Sequence, residues 1–428
     1  MGAKYQALKG MEDLLPGEVE KWQWLERKAR IFFESRGFKE IRTPLLEPTE
    51  LFVRSVGEAS DIVHKQMFSF EDRGERNISL RPEMTASVAR AVIEHGLLKT
   101  NKSLRLYYLG PMFRAERPQA GRKRQFHQIG VEIINEPAED ADFETISLLE
   151  GFFQDVGLKN FKIYINDLGD TESQKKFKKQ LYEFFSKQKA KLCSDCQYRL
   201  EKNVLRIFDC KNDSCVALQV QSVWDTEDPS EEFERLRENL QVRGIEVHPK
   251  RRLVRGLDYY NGTVFEVTVE GLGAQDAVAA GGRYDNLYSD LGGSPTPCTG
   301  FSIGVERSLS ALEAGDSPLS KRLKEDFVYF APLTKKNSSD DNLEINGLIV
   351  KAMTELQQLG VRVIAGKHFL SLADHLKTAN KLGVKHVVIA GLDELTVKKW
   401  TVKDMFHHAQ EKIDFTKLFN HLRGEPSV

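Results

Sequence analysis

Apolar side chains recur every three to four positions between Glu18 and Arg36, placing Val19, Trp22, Leu25, Ala29 and Phe32 on one stripe. That spacing predicts a helix with one buried face, and Gly37 fits its C-terminal cap. Residues 1–17 read as an extended lead ending in Leu15-Pro16-Gly17, and Phe38 to Thr43 as a short strand stopped by Pro44. A second helix opens at Leu80-Arg81-Pro82-Glu83-Met84-Thr85 and runs to about Glu94, with Pro82 in its first turn and Glu83 where the helix dipole favours a carboxylate. From Leu109 to Asn135 the period shortens to two. Two antiparallel strands are expected there, the first ending at Met112-Phe113-Arg114-Ala115-Glu116 and the second running Gln125 to Ile134, joined by the basic loop Arg117 to Arg124. Alternation sets Phe126, Gln128, Gly130 and Glu132 on one face and His127, Ile129, Val131 and Ile133 on the other. The second face suits a core. The first, with Arg114 and Glu116 on one face of the neighbouring strand, suits the floor of a site for a small polar ligand. An ordinary amphipathic hairpin under a solvated loop has the same periodicity, which leaves both readings open.

Further on, a helix is expected from about Asp142 to Val156, closed by Gly157, and a strand from Phe161 to Ile165. The stretch from about Thr171 to Val247 is lysine-rich and helical in pattern, and reads as an insertion that interrupts a sheet. The sheet resumes after Arg255-Gly256-Leu257-Asp258-Tyr259-Tyr260 with a strand from Thr263 to Val269. In Ala280-Gly281-Gly282-Arg283-Tyr284-Asp285 the glycines suit either a close approach of the backbone to a ligand or a tight turn. Gly300 to Arg307 reads as a strand leading into a helix. A linker at about Glu313 to Asp326 precedes strands at Phe327–Ala331, Val361–Ala365 and His386–Ala390, with helices at Asn342–Leu359 and Ser371–Leu382 between them. That alternation predicts a small, mostly parallel α/β domain. The fold class is α/β: an α+β domain on an antiparallel sheet, a helical insertion and a small C-terminal α/β domain.

Composition narrows the classes. The 428 residues suffice for two or three domains. Lys+Arg of 62 against Asp+Glu of 63 leaves a net charge of -1, so a nucleic-acid partner must be met by local basic patches rather than a global field. The apolar runs are far short of a membrane span, and the first residues, MGAKYQALKG, lack the apolar core of a signal peptide. A cytoplasmic protein without a membrane partner is expected.

Phe113-Arg114-Ala115-Glu116 followed by Arg124-Gln125-Phe126-His127-Gln128 resembles motif 2 of the class II aminoacyl-tRNA synthetases, in the version of the histidyl-tRNA synthetases. GFKEIRTPLLEP resembles motif 1, and Gly300-Phe301-Ser302-Ile303-Gly304-Val305-Glu306-Arg307 resembles motif 3. RGLDYYNGTVFEV and AGGRYD resemble segments typical of the histidine family. The resemblance covers nearly the whole chain. It implies a catalytic domain over 1–325, interrupted by the insertion at about 171–247, and an anticodon-binding domain over 326–428. It also implies a homodimer, built on motif 1, that attaches L-histidine to histidine tRNA through an adenylate, with ATP and Mg2+.

The same resemblance distributes roles. Arg114, Arg255 and Arg307 are the expected catalytic cations: Arg114 at the α-phosphate, Arg307 at the ATP phosphates, Arg255 between the histidine carboxylate and the α-phosphate. Phe126 is expected to stack on adenine, with Glu116 nearby. Glu83, Thr85 and Gln128 are expected around the amino-acid ammonium group, and Glu132 and Tyr260 at the imidazole, with Tyr259 also in the histidine site. Arg117, Arg122, Lys123 and Arg124 are expected on the tRNA acceptor stem. Rival readings are a regulatory paralogue that binds histidine, a non-catalytic tRNA-binding protein, and a class II enzyme for another amino acid. The three arginines and RGLDYY speak against them.

Cys193-x2-Cys196 and Cys210-x4-Cys215 form two close pairs thirteen residues apart, each among turn-forming residues. Four thiolates at this spacing can close a tetrahedral structural Zn2+ site. Free thiols in a small helical subdomain are the alternative, with disulfides disfavoured in a cytoplasmic setting.

Overall fold

The computed structural model describes residues 5–58, 60–119, 121–222, 229–272, 276–315, 317, 319, 327–335 and 339–423. The chain divides into two compact units, Met1–Ser317 and Pro318–Val428. In the first, helix Val19–Glu34 buries Trp22, Leu25, Ala29 and Phe32, as its stripe predicts. Strand β1 (Lys39–Glu40) is shorter than expected, because only these two residues find ladder partners, Leu106 and Tyr107. Strands β2 (Leu46–Pro48), β3 (Phe68–Glu71) and β4 (Asn77–Leu80) form a small antiparallel sheet in the order β2-β4-β3.

The expected hairpin is β5 (Leu104–Phe113) and β6 (Gln125–Ile134), in register from Leu104 opposite Ile134 to Phe113 opposite Gln125. Strand β6 has the expected bounds. Strand β5 stops short of Glu116, because the Ala115 N–H leaves the ladder for the Gln66 carbonyl at 2.6 Å. Strands β7 (Phe161–Asp167), β8 (Val247–Pro249), β9 (Asn261–Val269), β10 (Ala277–Arg283) and β11 (Cys298–Gly304) complete an eight-stranded sheet, ordered β1-β5-β6-β11-β10-β9-β7-β8. It is antiparallel except for its two edge pairs. Gly281 and Gly282 lie inside β10 rather than in a turn. A Cβ at Gly281 would strike the Gly300 carbonyl and the Phe265 ring, so the close approach is between strands and not to a ligand.

Helices Val19–Glu34 and Ala138–Asp155 cover one face of this sheet. The Phe33 ring lies 5.3 Å from Phe152, 5.8 Å from Tyr107 and 6.3 Å from Phe301. Alternation along β5 sends Leu106, Tyr108 and Met112 to the opposite face, against Val88 and Val92 of helix Thr85–Glu94. That helix starts at Thr85, so Pro82 precedes it. Glu83 caps it instead, its carboxylate accepting the Thr85 and Ala86 N–H groups at 2.7 and 3.0 Å. Between β7 and β8 lie helices Thr171–Ser186, Ser194–Lys202, Asp213–Val220 and Glu231–Val242. The first three share a core that includes Leu181, Phe185, Cys196, Leu200, Ile207 and Leu218.

In the second unit, β12 (Phe327–Pro332), β13 (Arg362–Ala365) and β14 (His386–Ala390) are parallel, linked by helices Ser339–Gln358 and Leu372–Leu382. Strands β15 (Lys399–Asp404) and β16 (Gln410–Asp414) extend the sheet antiparallel, in the order β13-β12-β14-β15-β16. The expected mostly parallel sheet is therefore three parallel strands carrying an antiparallel hairpin. The expected linker at 313–326 lies largely outside the described residues.

Candidate active site

The face of the large sheet away from the Val19–Glu34 helix lines a cleft of about 1350 Å³. Phe126, Gln128 and Glu132 of β6 lie along its floor, as alternation requires. The expected contrast between a buried and an open face fails at the far end of β6. Glu132 is only 1 % exposed, because helix Thr85–Glu94 and the Tyr259 and Tyr284 side chains pack over that end of the sheet. Glu132 accepts hydrogen bonds from Thr85 Oγ1 at 2.8 Å and from the Tyr284 hydroxyl. A Cβ at position 300 would overlap the Glu132 carboxylate, so only glycine on the adjacent strand leaves it room. Burial pushes the Glu132 carboxyl up to about 8, against the lowering pull of the Tyr284 and Thr85 bonds.

Glu83, also buried, has its pKa raised by burial, opposed by the Ala86 and Thr85 amides it caps. The Tyr259 hydroxyl donates to it at 3.4 Å, and the Tyr259 and Tyr260 rings are 4.7 Å apart. Burial pushes Tyr260 up to about 12, so its hydroxyl stays a donor at neutral pH. Gln128 Nε2 donates to Ser302 Oγ at 3.2 Å. One small compartment thus holds two carboxyl groups among tyrosine and threonine hydroxyls.

Three arginines border this compartment. Arg114 donates through Nε to the Pro82 carbonyl at 3.0 Å, and its Cζ lies 5.1 Å from the Phe126 ring centroid. Arg307, in the first turn of helix Val305–Ala314, is anchored to the Gly121 and Ala277 carbonyls at 2.9 and 2.8 Å. Arg255 pairs with Glu266 at 2.9 Å, while its buried Nε has no hydrogen-bond partner among the described residues. Burial lowers the pKa of Arg114 and Arg307, yet a guanidinium stays charged at neutral pH even so. Three fixed cations face one cleft, an arrangement matched to an anion of high charge density.

The 117–124 loop divides. Arg122 and Lys123 line the cleft, paired with Glu116 at 3.4 Å and with Glu12 at 2.7 Å. Arg117 is exposed outside the lining, and Arg124 donates to the Glu116 carbonyl at 3.2 Å, bracing the loop. Several wall residues escaped the sequence reading. Tyr284 stood in the AGGRYD segment without a role, and Glu266 is the single acidic residue of the apolar strand VFEVTV. Arg206 and Asp209 come from the insertion, and their sequence carries no signal for this placement. In the insertion, the Sγ atoms of Cys193, Cys196, Cys210 and Cys215 all lie within 4.8 Å of one another, with Cys193 and Cys210 3.7 Å apart. A tetrahedral zinc with Zn–S bonds of about 2.3 Å sets its sulfurs about 3.8 Å apart.

A family model described as histidyl-tRNA synthetase matches residues 10–307. The chain belongs to the histidyl-tRNA synthetase family. A second model, the anticodon binding domain, matches residues 328–425. The chain is 40% identical to the histidine–tRNA ligase of Fervidobacterium nodosum over 97% of each chain, and 42% identical to that of Thermotoga maritima over 96% of each. The apo histidyl-tRNA synthetase of S. aureus has a similar structure, with a TM-score of 0.74 and 29% identity over 98% of this chain and 100% of that one. The α/β architecture expected for the family is the one observed.

Proposed function

We propose that this chain is a histidine–tRNA ligase that activates L-histidine with ATP and transfers it to histidine tRNA. In the first step a histidine carboxylate oxygen attacks the α-phosphorus, and the bond to the departing pyrophosphate breaks. In the second, a terminal ribose hydroxyl of the tRNA attacks the acyl carbon and AMP leaves. Bringing two anions together makes the first step depend on positioning and fixed positive charge. Arg255 binds the carboxylate and α-phosphate, offering its unpartnered Nε. Arg114 takes the α-phosphate, Arg307 the outer phosphates, and Phe126 the adenine, with Glu116 beside it. Mg2+ bound to ATP would neutralise part of the polyphosphate charge beside Arg114 and Arg307. Glu83, Thr85 and Gln128 hold the ammonium group, while Glu132 and Tyr260 pair the ring nitrogens. A site that pairs both nitrogens rejects side chains that leave its buried groups unsatisfied.

The convergence of three anchored arginines and two buried carboxyl groups on one cleft carries this reading. Residues 1–325 act as the catalytic domain, interrupted by the insertion at about 171–247, and residues 326–428 read the anticodon. Arg122 and Lys123, at the cleft edge, meet the acceptor end. Leu45 and Leu46 of the motif 1 segment are 43% and 42% exposed, which supports a homodimer through this surface. Among the described residues, no helix is long and apolar enough to cross a membrane, and we place the enzyme in the cytoplasm. The four clustered sulfurs suit a structural Zn2+ in which protein fills every coordination position. ATP–pyrophosphate exchange run with each of the twenty amino acids tests the central claim. Histidine alone should support exchange; exchange with another amino acid, or with none, would overturn it.

A further inference from the structure

We propose that the four-cysteine site is a clamp on the segment carrying Arg255, and that Arg206 is the positioning residue through which it acts. This inference rests on the zinc reading above. Thirteen residues lie between Cys196 and Cys210; Leu200 and Ile207 of this stretch pack in the insertion core, while Arg199, Arg206 and Asp209 line the cleft. Arg206, 4% exposed, donates through Nη1 to the Arg255 carbonyl at 3.1 Å and pairs with Asp209 at 2.8 Å. Asn203 Nδ2 donates to Asp258 Oδ1 at 2.9 Å, and the Asp258 N–H binds the Val56 carbonyl at 3.1 Å. Arg199 pairs with Asp61 at 2.6 Å. Val254, next to Arg255, packs on the insertion core.

The base of the same loop is closed by sulfur. Cys196 and Cys210 lie at its two ends, and Gln219 Nε2 bridges the Ile207 and Cys210 carbonyls at 2.7 and 3.0 Å. The intervening chain is helix Ser194–Lys202 and a short helical turn at Val204–Asp209, and a metal joining its ends ties both to the sulfur cluster. The tip then offers Arg206 at a fixed height to the Arg255 backbone. Arg255 is held twice: its guanidinium by Glu266 at 2.9 Å and its carbonyl by Arg206. With the second hold released, the guanidinium no longer points at one place, and the transition state loses a preorganised donor.

The test uses the full-length chain: the parent, Arg206→Met, Arg206→Lys, Cys193→Ser/Cys196→Ser, and the triple variant combining the cysteine pair with Arg206→Met. Zinc per chain is measured by elemental analysis after purification without chelator, and kcat and histidine KM by ATP–pyrophosphate exchange. Arg206→Met should keep the parent's zinc, lose kcat by about 10- to 100-fold through misplacement, and raise histidine KM by a smaller factor, because Arg255 also holds the histidine carboxylate. Arg206→Lys should recover part of the loss. The cysteine pair should lose zinc and show a similar kcat defect, and the triple variant should be no worse than either parent variant, because both act through one contact. Chelator-stripped parent, restored by added Zn2+, replaces the cysteine variant if that fails to fold. Zinc-replete Arg206→Met with parental kcat would overturn the clamp through Arg206, as would additive losses in the triple variant. Less than about a tenth of an equivalent of zinc in the parent would overturn it through the metal.

Discussion

Glu132 is held by two hydroxyl groups rather than by a cation. Burial lifts its carboxyl from 4.5 to about 8. Its folded value lies above its unfolded one, so between those values the folded chain binds the proton more tightly. Stability from this group is therefore greatest below 4.5 and is lost as pH rises toward 8. Glu132→Gln cannot ionise, so its melting temperature relative to the parent should climb across that window; a constant difference would contradict the assignment. The same variant should weaken histidine binding on the order of 10²-fold, with ATP little affected, since only the amino-acid compartment loses an acceptor. Equal losses for both ligands in a titration would make Glu132 structural. Arg255→Ala should cost on the order of 10²–10³ in adenylate formation with the circular dichroism unchanged; near-parental exchange would remove Arg255 from the chemistry.

At the scale of elements, the centre of the large sheet allows little change. Gly281 in β10 faces the Gly300 carbonyl of β11, a backbone atom that cannot rotate away. Gly281→Ala should therefore destabilise the chain by about 1–3 kcal/mol, read as a melting temperature lower by several degrees. An unchanged melting temperature would mean that the strands separate at little cost. The bounds of β6 were legible because a ten-residue alternation states its own length. The β2–β4 sheet was not, since strands of three or four residues are too short to show a period. Strands β15 and β16 were missed for another reason: β16, QEKID, is almost wholly polar and gains its place only by pairing with β15.

For the whole molecule, the motif 1 segment makes a prediction about assembly. A two-fold dimer should have twice the chain mass of 48.7 kDa at micromolar concentration. A monomer by light scattering, or a dimer that survives Leu45→Asp/Leu46→Asp unchanged, would place the interface elsewhere. Each of the two units closes its own core. Phe330, Ile349 and Trp400 bury one another in the C-terminal unit, independently of the Phe33–Phe152 contact in the first.

Side-chain type and spacing, together with the family resemblance of the motif segments, determined which residues could do chemistry. Alternation aligned Phe126, Gln128 and Glu132, and the motif segments named Arg114, Arg255 and Arg307. Local spacing also paired the cysteines, two by two. Only tertiary structure decided what those residues became. Glu132 was raised to about 8 because a helix and two tyrosines from distant segments cover it. The pairs Cys193–Cys196 and Cys210–Cys215 became one cluster because the insertion folds them together. Arg206 reached Arg255 across 49 positions of chain. Periodicity is a property of neighbours along the chain, whereas burial and charge are set by whatever the fold brings across from elsewhere.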